Sequence, residues 1–158
     1  MNEKPKILVI TSCSKKKEQQ ASRAVDLYKG QFFLGVKKFC EKNRFDLRVL
    51  SAKYGLVNDE IIEPYEQRLK NTIRDRERLR ALASPKLKEL LQKYDLIVFL
   101  MGKAYTSILT MPSPKIRYAT DPTGSGGFNR LIVKLNHLSK EEFISLINRK
   151  ETFSRLDI

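Results

Sequence analysis

Apolar residues recur along the chain in two rhythms. Three short runs, Lys6 to Thr11 (KILVIT), Asp46 to Ser51 (DLRVLS) and Asp95 to Met101 (DLIVFLM), are nearly continuous in aliphatic residues and predict buried strands. A weaker fourth run, Lys115 to Ala119 (KIRYA), is set off by Pro112, Pro114 and Pro122. Between the runs the spacing changes to that of helices. Tyr28 to Asn43 places Phe32, Phe33, Val36, Phe39 and Cys40 on one face, opposite Lys37, Lys38 and Lys42. Tyr65 to Leu82 reads as a densely charged helix with Leu69, Ile73 and Leu79 inward, and Ser84-Pro85 as the start of another carrying Leu87, Leu90 and Leu91. Gly126 or Gly127 opens a helix with Phe128, Leu131, Ile132 and Leu135. Ser139 and Glu142 form a capping box for the last helix, whose inner residues are Phe143, Leu146 and Ile147.

Strands that alternate with helices, each strand apolar on both faces, predict a three-layer α/β fold. Its sheet is open and mainly parallel, of about four strands, with helices on both sides. There is no repeat and no long linker, so residues 1–150 are expected to form one domain, with 151–158 a frayed tail. Ligands of such sheets bind beyond the C-terminal ends of the strands, which is where chemistry is to be sought.

Composition narrows the classes. Of 158 residues 41% are hydrophobic, too many for a disordered chain. The longest apolar run, Leu96 to Met101, is far too short to cross a bilayer. The charged start, Met1 to Lys6, carries no secretory pattern, so a cytoplasmic location and no membrane partner are expected. Two cysteines (Cys13, Cys40) and one histidine (His137) supply neither a disulfide framework nor a metal site, and no cofactor is expected. Lys and Arg outnumber Asp and Glu by 31 to 18, a formal net charge of +13. That excess favours a phosphate-bearing partner, nucleic acid or nucleotide. The alternative is a densely charged, solvated surface of the kind thermophile proteins carry.

Residues suited to such a partner cluster just after the strands. The first is followed by Thr11-Ser12-Cys13-Ser14-Lys15-Lys16-Lys17, whose hydroxyls, ammonium groups and exposed amides suit an anion, although the glycine pattern of a nucleotide P-loop is missing. Ser51-Ala52-Lys53-Tyr54-Gly55-Leu56 follows the second, with Pro64-Tyr65-Glu66 soon after, and Gly102-Lys103-Ala104-Tyr105 follows the third. Ser12, Ser14, Lys15 and Lys53 are thus candidates for holding phosphate. Tyr28, Tyr54, Tyr65 and Tyr105 are candidates for contact with the substrate, Tyr54 or Tyr65 by stacking on a base. Asp26 and Glu66 are the candidate bases or water-positioners, Lys103 a candidate for stabilising developing negative charge, and Cys13 a candidate nucleophile. Each has a plainer reading: rim tyrosines, a helix-start Asp26, a packing Cys13. The Asp121-to-Gly127 segment before a helix is a further, weaker phosphate candidate.

Five blocks in fixed order, Ser12 to Lys17, Asp26 to Gly30, Leu50 to Leu56, Pro64 to Glu66 and Gly102 to Tyr105, resemble a single-domain family of unknown function found in bacteria, archaea and their mobile elements. The resemblance runs from Ile7 to about Leu138. At longer range the Cys13-Ser14-Lys block is similar to that of the archaeosine synthase core domain, which modifies a tRNA base and is uracil-DNA-glycosylase-like in fold. That likeness implies an enzyme working at a base or glycosidic bond. The Lys-Pro-Tyr triplet of the synthase and the Gly-x-Asp-Pro-Tyr loop of the glycosylases are absent. The other expectations are a non-catalytic nucleic-acid binder of a mobile element, and a phosphometabolite or nucleotide enzyme with a basic surface.

Overall fold

Helices cover both faces of a six-stranded sheet in the computed structural model, which describes residues 4–119, 127–148 and 154–156. In chain order the elements are β1 (Ile7–Ser12), β2 (Ser22–Arg23), α1 (Ala24–Leu27), α2 (Gln31–Asn43), β3 (Asp46–Ser51), β4 (Gly55–Val57) and β5 (Ile61–Ile62). They continue with α3 (Ile73–Lys93), β6 (Leu96–Leu100), α4 (Lys103–Leu109), β7 (Ile116–Ala119), α5 (Gly127–His137), α6 (Lys140–Asn148) and β8 (Ser154–Arg155). The sheet order is β4-β3-β1-β6-β7-β8, parallel throughout except for β4, and β2 pairs with β5 in a small antiparallel ribbon.

The alternation of β1 shows why the fold has three layers. Ile7 and Val9 pack with Val36 and Phe39 of α2, Leu135 of α5 and Phe143 of α6. Leu8 and Ile10 point the other way, against Leu79, Ala83 and Leu87 of α3 and Ile108 of α4. Fully burying each such side chain contributes about 1.5–3 kcal/mol, so both sides of the strand hold their helices. A third cluster joins Ala24, Leu27 and Tyr28 to Val49, Val57 and Tyr65. It is built from the connections themselves and floors the C-terminal end of the sheet.

Several elements differ from the pattern reading. The two helices expected around Ser84-Pro85 are one, with Pro85 inside it. Its buried residues Leu79, Ala83, Leu87 and Leu90 form an unbroken stripe through the proline, and packing that stripe on the sheet outweighs the one backbone hydrogen bond a proline removes. Its start also moves, from Tyr65 to Ile73, because Thr72 caps it by accepting the Asp75 N–H at 3.2 Å. The segment 63–72 is therefore irregular. Helix α2 starts at Gln31 rather than Tyr28, since Tyr28 is extended and bridges Lys17. Strand β4 and helix α4 were not anticipated. Where a frayed tail was expected, Ser154 and Arg155 extend the sheet beside β7 and Leu156 is buried. The capping box is present, Ser139 and Glu142 exchanging bonds of 3.0 and 3.2 Å. Among the described residues no helix is long and apolar enough to cross a membrane.

Candidate active site at the C-terminal edge of the sheet

From β1 the chain crosses to β3 on one side, and from β6 it continues to β7 on the other. The crevice between the ends of β1 and β6 is therefore a topological switch point, the usual place for a ligand in this architecture. A pocket of about 810 Å³ opens there. One wall is Cys13, Lys15 and Lys17 from the loop after β1, and another is Ala104 and Tyr105 of α4. The segment before α3 closes it with Glu66, Arg68 and Lys70, and Arg76 stands on α3 itself. Among the described residues five cations thus face one carboxylate. That size suits a small-molecule occupant, since such sites run about 300–1,000 Å³.

The loop after β1 is fixed by its own backbone. Cys13 N–H donates to Leu50 at 3.0 Å, Glu18 N–H to Leu27 at 2.8 Å, and the Lys16 carbonyl accepts both Lys29 N–H and the Ser14 hydroxyl at 2.7 Å. Ser14 Oγ in turn accepts the Gly30 N–H at 3.1 Å. A side chain at Gly30 would come within 2.7 Å of Ser14 Cβ, so only glycine lets these two stretches touch. Ser14 is thereby occupied in shaping the loop. Gly55, the turn glycine, has φ +79° and lies against Leu82, where a Cβ would sit 2.9 Å from Leu82 Cγ.

Beneath the pocket runs a buried hydroxyl chain. Ser51 Oγ accepts the N–H groups of Lys53 and Tyr54 at 3.2 and 3.0 Å, which uses its acceptor sites. Its proton accordingly goes to Tyr65 Oη at 2.6 Å, and the Tyr65 proton to Tyr28 Oη at 2.7 Å. Tyr28 is 0% exposed and Tyr65 8%. Burial pushes the Tyr28 phenol up to about 12 and raises Tyr65 as well. The Lys17 ammonium lies 4.5 Å from the Tyr65 ring centre and bonds the Lys15 carbonyl at 3.2 Å. Burial lowers its pKa. Cys13 Sγ accepts the Ala52 N–H at 3.4 Å and lies 3.5 Å from the Tyr105 hydroxyl, whose pKa burial and then the thiol raise.

The structure thus gathers Cys13, Ser14, Lys15, Glu66 and Tyr105 around one pocket and leaves others of the candidates beside it. Tyr28 and Tyr65 lie beneath as supports; Tyr65 has Tyr54 edge-on at 5.6 Å and Lys17 over its ring, so no base can stack on it. Tyr54 is half-buried with the Lys53 ammonium 5.2 Å from its ring centre. Ser12 is half-buried at the end of β1, and Lys53 and Lys103 are exposed on the same edge but do not line the pocket. Asp26 is outside it: one carboxylate oxygen accepts from Lys37 at 2.7 Å and the other from Arg23 at 2.9 Å, and the Lys37 bond holds its pKa below the usual range. The Asp121-to-Gly126 stretch lies outside the described residues. Lys17, Arg68, Lys70 and Arg76 were missed. Arg68 and Lys70 were hidden by reading 65–82 as one helix, whereas the Thr72-x-x-Asp75 cap signal places residues 66–71 ahead of it; Arg76 lies in the first turn of α3.

Fold and pocket together define a three-layer α/β protein with a basic cleft of small-molecule size at the switch point of its sheet. The chain belongs to a family of unknown function (DUF6884), whose sequence model matches residues 8–129. All five sequence blocks fall inside that span. No curated protein and no solved structure matches the chain.

Proposed function

We propose that the protein is an enzyme acting on a nucleotide unit, free or in a nucleic acid, at its base or glycosidic bond. The observation that carries this reading is that five cations stand against one carboxylate, among the described residues, in a pocket at the switch point. Lys15, Lys17 and Arg68 would hold phosphate through charge-assisted hydrogen bonds. Glu66, the one of the two proposed carboxylates that lines the pocket, would position water or take a proton. Cys13 of the loop after β1 and Tyr105 of α4 approach each other to 3.5 Å, where a thiol and a hydroxyl would meet the base or its leaving nitrogen. The likeness of the Cys13-Ser14-Lys block to the archaeosine synthase core domain supports the same chemistry on that block alone.

A crystal soaked with a nucleoside 5′-monophosphate tests the reading. Phosphate against Lys15, Lys17 and Arg68 with the base toward Glu66 supports it; a ligand bound elsewhere, or none, ends it. The Glu66→Gln variant should retain ligand binding while base release or base modification disappears.

A further inference from the structure

We infer that the pocket receives its nucleotide as part of a polynucleotide strand, with the neighbouring phosphates held by Lys53 and Lys103 on either side of the opening. This rests on the functional reading above. Lys53 follows the end of β3 and Lys103 that of β6, and these strands flank β1 in the sheet. Neighbouring strands are about 4.8 Å apart, so the two lysines are rooted roughly 10 Å apart with the Cys13 loop between them. Both are exposed, neither lines the pocket, and among the described residues neither has an ion-pair partner within 4.0 Å. Lys53 also lies over the half-buried Tyr54, its ammonium 5.2 Å from the ring centre, which holds the lysine at this edge.

A free nucleotide has all its phosphate at one end, and Lys15, Lys17 and Arg68 in the pocket already serve that end. Cations on both sides of the opening match a ligand that enters and leaves the cleft, as a strand does when one nucleotide is turned out of it. The fixed loop between them favours this use, because Lys15 and Lys16 are exposed on a backbone held by four hydrogen bonds of 2.7–3.0 Å.

The test is calorimetric titration at about 0.15 M salt with nucleoside monophosphates and with mixed-sequence single strands of three and nine nucleotides, in DNA and RNA forms. Affinity should rise at least a hundredfold from monophosphate to nonamer, in one or both forms. The Lys53→Ala/Lys103→Ala variant should cut the ratio of nonamer to monophosphate affinity at least tenfold at an unchanged melting temperature. Its logarithmic salt slope for the nonamer should fall by about 1.4, two contacts at roughly 0.7 each. Monophosphate binding as tight as nonamer binding would overturn the inference and leave the pocket reading standing. A nonamer preference that the double variant does not alter overturns the lysine assignment. Failure of every ligand to bind removes both readings.

Discussion

Two charged regions of this molecule use their charge differently. Along the flank formed by α1, α2 and the β2–β5 ribbon, cations meet carboxylates. Asp26 takes Lys37 and Arg23, Asp59 also takes Arg23, Glu18 takes Lys29, and Glu60 takes Lys86. At the C-terminal edge, Lys15, Lys17, Arg68, Lys70 and Arg76 surround a cleft containing Glu66, and among the described residues none is ion-paired. The flank pairs are exposed or half-exposed, and such pairs contribute only about 0.2–1 kcal/mol each. The edge holds like charges together without that compensation, an arrangement that an anionic occupant relieves. A net charge of +13 by itself distinguishes neither region.

The comparison can be broken most severely by charge reversal at the edge. Lys15→Glu with Arg68→Glu should reduce nucleoside monophosphate affinity more than a hundredfold, since each charged hydrogen bond contributes about 1.5–3 kcal/mol, while the melting temperature changes little. Calorimetry and thermal denaturation together read this out; a large drop in melting temperature would mean that these residues support the fold instead. The next largest effect lies under the pocket. Tyr65→Phe strands the buried hydroxyls of Ser51 and Tyr28 and should cost about 2 kcal/mol in urea denaturation, without changing any charge. A cost near zero would show that the chain of hydroxyls is dispensable.

Alkali probes the same hydroxyls. A phenol whose pKa is raised on folding favours the folded state fully below its unfolded value near 10, and that contribution is lost as pH rises through the folded value. For Tyr28 this window runs from about 10 to about 12. Tyrosinate absorbance should therefore appear in two stages, with Tyr28 ionising only as the chain unfolds; Tyr28 titrating near 10 in the folded protein would contradict its burial. The smallest effect belongs to the flank. Asp26→Asn should cost about 0.5 kcal/mol at neutral pH, the scale of an exposed ion pair. Because the folded pKa of Asp26 is depressed, that contribution is present above its unfolded value near 4 and is lost as pH falls through the folded one. Melting curves of wild type and variant should converge in acid, and a variant that also lost ligand affinity would blur the line between the two regions.

Much of the fold was legible because it depends on local rhythm. Asp46 to Ser51 is a strand with the bounds its pattern predicts, and KILVIT and DLIVFLM shift by only a residue at their ends. The errors arose where distant packing decided the outcome: the stripe that carries α3 through Pro85, and the bridge to Lys17 that keeps Tyr28 out of α2. The edge on which the site lies followed from topology alone, so Cys13, Lys15, Glu66 and Tyr105 were within reach. Arg68 and Lys70 were not, because the cap at Thr72 places them ahead of α3 but nothing near them in sequence shows that this segment closes the pocket. Tyr65 had the opposite history: a residue type suited to stacking lies beneath the pocket because its hydroxyl joins Ser51 to Tyr28.

The sheet ends on one side at β4, three residues long, and on the other at β8, two residues long. Long open margins of unpaired backbone invite strands from other chains. Among the described residues, margins this brief offer an incoming strand little to pair with, a feature that disfavours edge-to-edge growth of the sheet from one molecule to the next.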